Sequence, residues 1–282
     1  MRLVTFLRKG RQAEPGVLVD GRVHSLSAAG FQDILGVIRG GPDARAAIDE
    51  WHWRPEAGIP LETATLLAPI PRPHKIICVG LNYRDHAIES KMEIPMVPTI
   101  FNKFATAVIG HGAPIVLPKV STQPDYEAEL AFVIGKGGRN IAAENWQDHV
   151  YGYTMMNDVS ARDYQLATTQ WLMGKTFDTF APIGPSIVTA EEVADPHALD
   201  IRLTINGEVL QNSNTRELIF KIPELIAYLS SVFTLEPGDI VSTGTPSGVG
   251  FARKPPRYLQ AGDSVVVSVQ GLGELRNPVV AE

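Results

Sequence analysis

Apolar and polar positions alternate over short stretches of this chain, and Gly or Pro interrupts the alternation every few residues. Period-two runs bounded by turn residues read as β-strands. Residues 3–7, 75–79, 99–104, 115–117, 126–134 and 151–156 follow that pattern, and residues 15–23 form a strand that runs into an Asp20-Gly21 turn. Residues 201–205 and 208–211 flank Asn206-Gly207, the dipeptide that a two-residue type I′ hairpin favours. Two similar phrases near the end, one starting at Leu235 and one at Leu259, carry Gly-Asp followed by an apolar run, so each reads as a turn entering a strand. Helical spacing is confined to residues 31–38, 42–51, 146–150 and 217–231; the last has Pro223 near its first turn and Leu225, Ile226 and Leu229 on one face. Many short strands, long connections and few helices predict a β-rich α+β fold, a barrel or stacked sheets.

The segment 68–74 holds three prolines in seven residues and reads as an extended linker. It divides a small N-terminal module, residues 1–66, from a larger unit, residues 67–282. With 282 residues and 44% hydrophobic content the chain can bury a large core. A net charge of −6 leaves no electrostatic footprint for nucleic acid or an acidic membrane. The single cysteine, Cys78, excludes an internal disulfide framework; it sits in an apolar run as a buried thiol and fits a reducing cytoplasm. No apolar run approaches the ~20 residues of a membrane span, and the N-terminus turns polar too soon for a signal peptide.

The chemistry concentrates at a few positions. Glu127 and Glu129 lie two apart in an apolar strand, so both point to one face. Covered carboxylates that close repel each other and lose hydration. Either they share a proton, or Arg or Lys pairs with them, or a metal cation sits between them. Asp158, ending the next acidic strand, offers a third oxygen, and three carboxylates without a Cys or His partner select a hard ion: Mg²⁺, Mn²⁺ or Ca²⁺. After the strand ending at Gly80, Asn82 and Asp85 have capping-box spacing for a helix that puts His86 and Glu89 at i and i+3. That pair is a general-base dyad or a surface ion pair. Arg162 and Gln165 could point at one anionic oxygen, and Lys175 in a Gly- and aromatic-rich segment could stabilise a developing oxyanion. The glycine-rich residues 242–250 lack the Gly-Lys-Ser/Thr ending of a P-loop. Thr245 with backbone N–H groups there could clamp a carboxylate.

Six phrases occur in order: Val-Gly-Leu-Asn-Tyr, His-x-x-Glu, Asp-Tyr-Glu-x-Glu-Leu, Asn-Asp-Val-Ser-Ala-Arg-Asp-Tyr-Gln, Gly-Lys-x-Phe-Asp and Gly-Thr-Pro-x-Gly-Val-Gly. From about Pro73 onward the chain therefore resembles the fumarylacetoacetate hydrolase superfamily. The resemblance implies a mixed β-sandwich roll, a homodimer, and a Mg²⁺ or Mn²⁺ site at Glu127, Glu129 and Asp158. It makes His86 and Glu89 a water-activating dyad on a lid, and Arg162, Gln165 and Lys175 oxyanion stabilisers. It also makes Lys103, Tyr83 and Thr245 substrate contacts. Val79 stands where the fumarylacetoacetases proper carry a fourth acidic ligand, and the N-terminal module is small. Both departures place the chain nearer the acylpyruvase and oxaloacetate-decarboxylase branch.

The resulting expectation is a cytoplasmic metal-dependent hydrolase that cleaves the C–C bond of 2,4-diketo acids. The alternative is an oxaloacetate (β-keto acid) decarboxylase or keto–enol tautomerase at the same metal–enolate site, with a sugar-acid dehydratase as a further variant. A non-catalytic binding protein is a third reading, disfavoured because ligands, dyad and lysine occur together. The pocket for the acyl group would draw on Met92, Ile94, Pro95 and Met96.

Overall fold

The computed structural model describes residues 1–8, 12–51 and 58–282. Two sheets form its frame. The larger has twelve strands, and its central order is Arg2–Leu7, Ala181–Thr189, Val150–Asn157, Ala128–Ile134, Ile240–Ser242, Ile76–Gly80 and Thr99–Asn102. The smaller has five: Glu208–Asn214, Asp200–Ile205, Ser264–Val269, Gly273–Ala281 and Ile115–Leu117. Most pairs are antiparallel, but Ile240–Ser242 runs parallel to Ile76–Gly80, so the large sheet is mixed.

The alternation along Ala128–Ile134 explains how the layers stack. Leu130, Phe132 and Ile134 face a core shared with Ile201, Leu203, Val265 and Val267 of the small sheet. Ala131 and Val133 face the opposite layer, where Ile34, Val37, Ile38 and Ile48 of the Ile34–Glu50 helix cover the sheet. Both faces are dry, as a strand with apolar residues on each side requires. Asp33 caps that helix by accepting from the Gly36 N–H. The two helical stretches expected at 31–38 and 42–51 meet at Gly41, whose φ of 53° breaks the helix just before Pro42.

Turn chemistry sets the register. Asn206 and Gly207 have φ of 54° and 86°, and Ile205 pairs with Glu208 across them. The two repeated Gly-Asp phrases fold alike. Gly238 and Gly262 have φ of 91° and 96°, and the aspartate that follows each accepts the N–H three residues back, Glu236 or Gln260, at 2.8 Å. The stretch expected to be helical around 146–150 is a 3₁₀ segment, Ala143–His149. The helix expected at 217–231 begins later, at Ile222, after a separate 3₁₀ turn at Thr215–Glu217.

The N-terminal strands continue the large sheet, because Leu3 pairs with Ile187 in Ala181–Thr189. No helix among the described residues is long and apolar enough to cross a membrane.

One expectation fails for a clear physical reason. Asn82 does not cap the Arg84–Ser90 helix; Tyr83 occupies the N-cap position with no side-chain bond. The Asn82 amide is buried, donates to Phe220 O and Thr243 O at 3.0 and 2.8 Å, and accepts from Phe220 N–H at 2.8 Å. A tertiary tie satisfying three backbone groups outcompetes a local cap. Asn82→Ala strands those groups, so it should destabilise the fold by about 2–4 kcal/mol in urea unfolding; a loss below about 1 kcal/mol would mean that water replaces the amide.

Candidate active site

The carboxylates converge because strand ends bring them together. The Asp158 N–H donates to the Glu127 carbonyl at 2.9 Å, and the Glu127 N–H donates to Asn157 Oδ1 at 3.0 Å. Oxygens of Glu127, Glu129 and Asp158 lie within 4.8 Å of one another, and all three side chains are buried.

Cations surround two of the three acids. Lys175 Nζ donates to Glu127 Oε2 at 2.7 Å and to Asp158 Oδ2 at 2.8 Å. Lys103 Nζ donates to Asp158 Oδ1 at 2.6 Å, and Arg162 Nη2 lies 2.6 Å from Glu127 Oε1. Burial works against ionisation of Glu127, but the charges of Lys175 and Arg162 outweigh it and take its carboxyl down to about 2. Glu129 is treated differently. It accepts only from neutral donors, the Ser242 hydroxyl and, at 2.9 Å, the Gly244 N–H. Burial, then the charges of Asp158 and Glu127, push its carboxyl well above the ordinary range. Four buried carboxylates, counting Asp125 beneath Arg162, face three buried cations, and among the described residues Glu129 is the one of the four without a cation partner. The triad is all-oxygen and short of positive charge, which fits a hard divalent ion.

The glycine-rich loop supplies the remaining donors. Besides Gly244, the Gly248 N–H donates to both oxygens of Glu89 at 3.0 Å. Gly250 and Phe251 donate to Asp125 at 2.7 and 3.0 Å. Gly244 and Gly248 have φ of 98° and 101°, and a Cβ on Gly248 would stand 2.1 Å from Leu210 O. Only glycine lets the loop come this close with this backbone. The N–H clamp thus exists, but it holds the protein's own carboxylates, not a ligand's. Thr245 lines the cavity while its hydroxyl accepts from Gln211 Nε2 at 2.8 Å.

The cavity over the triad is lined by His86, Glu127, Glu129, Arg162, Gln165 and Lys175, with apolar walls that include Met92, Phe101 and Trp171. His86 and Glu89 are adjacent on the Arg84–Ser90 helix, with Nδ1 3.5 Å from Oε2. Burial disfavours the charged form of Glu89, but His86 and the Gly248 N–H more than offset that and lower its pKa, so it is ionised at neutral pH. Trp171 packs against Gly80, where a Cβ would meet the ring at 2.2 Å, and edge-on against Phe101 at 5.6 Å. Gly174 lets the two short helices carrying Gln165 and Lys175 touch; a Cβ there would stand 2.4 Å from the Gln165 nitrogen.

Nine of the eleven residues singled out from the sequence therefore meet around one cavity or its rim, and two stand back from it. Tyr83 is fully buried in the inter-sheet core, and Lys103 donates to Asp158 and the Val159 carbonyl. Neither side chain lines this cavity. Asp125 and Gln211, which tie the loop to the acidic strand, were not legible as functional residues.

The family model for the fumarylacetoacetate (FAA) hydrolase C-terminal domain matches residues 75–280. The chain belongs to this family. Its first 74 residues lie outside the match. The Xenopus laevis protein "Oxaloacetate tautomerase fahd2, mitochondrial" is 54% identical over 218 residues, covering 77% of this chain and 68% of that one. The Bos taurus protein "Oxaloacetate tautomerase FAHD2A, mitochondrial" is 51% identical over 224 residues, covering 79% and 71%. Among solved structures, a maleylpyruvate hydrolase from Sphingobium sp. SYK-6 in complex with manganese(II) and pyruvate superposes with a TM-score of 0.85 at 35% identity, covering 100% of this chain and 99% of that one. The fold is the mixed, strand-rich architecture of this enzyme family.

Glu129→Gln should separate fold from binding. A glutamine oxygen can still accept from Ser242 and Gly244, so the metal-free protein should melt at a higher temperature while Mn²⁺ affinity, read by calorimetry, drops at least about 10-fold. The pH dependence has a definite sign. A carboxyl raised in the folded state contributes stability below its ordinary pKa of 4.5 and loses it as pH rises through the folded value. The gain in melting temperature should therefore be larger at pH 7 than at pH 4; the reverse order would contradict this view of Glu129.

Proposed function

We propose that this chain is a divalent-metal-dependent oxaloacetate keto–enol tautomerase. The observation that carries the reading is a cavity-lining imidazole, backed by an ionised carboxylate, beside three buried acidic side chains. That is equipment for moving a proton on a carbon next to a carbonyl. Relatives about half identical over three quarters of the chain carry this name, which supports the substrate.

Mg²⁺ or Mn²⁺, with Ca²⁺ as an oxygen-liganded substitute, would be held by Glu127, Glu129 and Asp158 and would supply Lewis-acid polarisation of a 2-keto acid. The chain's own residues do the rest. Glu89, fixed by Gly248, keeps the His86 proton on Nδ1 and leaves Nε2 as the base. His86 takes the C3 proton of the keto form and gives it to the C2 oxygen to form the enol, and the reverse transfer restores the ketone. Lys175 and Gln165 present N–H donors toward oxygens on which charge develops. Decarboxylation of oxaloacetate would use the same enolate-stabilising groups without the dyad. The apolar walls and the Trp171 ring exclude water from the remainder of the cavity.

A second reading, hydrolysis of an acylpyruvate, is supported by the likeness to the maleylpyruvate hydrolase structure with manganese and pyruvate. There His86 would take its proton from water. A homodimer and a small N-terminal module at residues 1–66 are carried with this proposal. The curated relatives' names place those proteins in mitochondria, and a single buried thiol fits that compartment as well as the cytoplasm.

His86→Ala should slow oxaloacetate tautomerisation, followed as decay of the enol absorbance, by about 10²–10⁴-fold while leaving Mn²⁺ affinity unchanged. Undiminished turnover would remove the dyad from the reaction. Wild-type cleavage of acetylpyruvate outpacing tautomerisation would favour the hydrolase.

A further inference from the structure

Asp125 has no exposed surface, yet it carries a charge and four hydrogen bonds. Oδ2 accepts from Arg162 Nε at 2.8 Å and from the Phe251 N–H at 3.0 Å. Oδ1 accepts from the N–H groups of Gly250 and Tyr126 at 2.7 and 2.8 Å. Gly250 is required for this, since a Cβ there would stand 2.5 Å from Oδ1. Two chain segments 125 residues apart are thus fixed to one carboxylate, and the Phe251 ring stacks on the guanidinium it holds, 4.6 Å from Cζ.

The consequence lies at the other end of Arg162. Nε donates to Asp125 and Nη1 donates to Gln165 Oε1 at 2.8 Å, while Nη2 is ion-paired with Glu127 at 2.6 Å. A buried guanidinium held between two carboxylates and an amide serves as a frame. What it frames is the amide of Gln165. With Oε1 occupied by Arg162, the amide can be oriented only one way, with its NH₂ group available as a donor. Gln165 is buried, lines the cavity, and its Nε2 has no acceptor among the described residues.

We infer that Asp125 is a positioning residue which, acting through Arg162, holds the Gln165 amide with its N–H toward the reacting oxygen. Arg162 thereby changes role, from the oxyanion stabiliser that the family resemblance implied to the strut that orients one. The inference rests on the reading of this cavity as a keto-acid site.

A double-mutant cycle tests it. In the Mn²⁺-loaded enzyme, Asp125→Asn and Gln165→Ala should each lower kcat for oxaloacetate about 10–100-fold, with KM changed less than about threefold. In the Gln165→Ala background, Asp125→Asn should cost less than about twofold more, because the group it positions is gone. Multiplicative losses, or an unaltered kcat in Asp125→Asn, would overturn the inference. Should Asp125→Asn fail to fold, Arg162→Lys keeps the charge and removes the Gln165 bond, and it must show the same non-additivity with Gln165→Ala. Oxalate, a planar stand-in for an enolate, supplies a readout independent of turnover. Its calorimetric affinity for the Mn²⁺-loaded wild type should fall in each single variant and fall no further in the double. A wild type inactive on oxaloacetate and acetylpyruvate would refute the proposed function alone, and the oxalate cycle would still decide the role of Asp125.

Discussion

Four carboxylates buried within a few ångströms are the constraint on which the rest of this structure depends. Each would be costly to leave unpaired in a dry interior. The chain answers with three buried cations and with a loop that turns its backbone N–H groups inward at Gly244, Gly248, Gly250 and Phe251. Glycine recurs there because Gly244, Gly248 and Gly250 each sit against another backbone or a carboxylate. The inter-sheet core then fixes the strands whose ends carry the acids, so packing and electrostatics determine the same geometry.

Much of this was readable from local pattern. The period-two runs marked the strands, Asn206-Gly207 marked a hairpin, and Glu127, Glu129 and Asp158 stood out as charges in apolar company. What could not be read is what depends on partners far along the chain. Asp125 neighbours Tyr126 and Glu127 in sequence, but its meaning comes from Arg162 and Gly250. Asn82 has the type and spacing of a cap, yet three distant backbone groups claim its amide. The N-terminal strands look separable behind a proline-rich linker, and only the pairing of Leu3 with Ile187 reveals that they extend the large sheet.

The division between fold and chemistry is also informative about function. Family membership follows from the match over residues 75–280, and it brings an enzyme architecture with an acidic triad. On the proposed reading the reaction is decided on a finer scale, by which proton His86 removes and which oxygen the Gln165 and Lys175 donors face. Relatives named as a tautomerase and as a hydrolase share this frame, so a change of reaction needs no change of fold.

The place of Glu129 in the cluster has a thermodynamic corollary. With Glu129 ionised the cluster would be one unit negative, from Asp125, Glu127, Glu129 and Asp158 against Lys103, Lys175 and Arg162. In that state it repels an organic acid. A divalent ion would reverse the sign and leave one unit positive, which is the balance a carboxylate ligand neutralises. Ion and acid would then be heterotropic partners, each raising the other's affinity by the same factor.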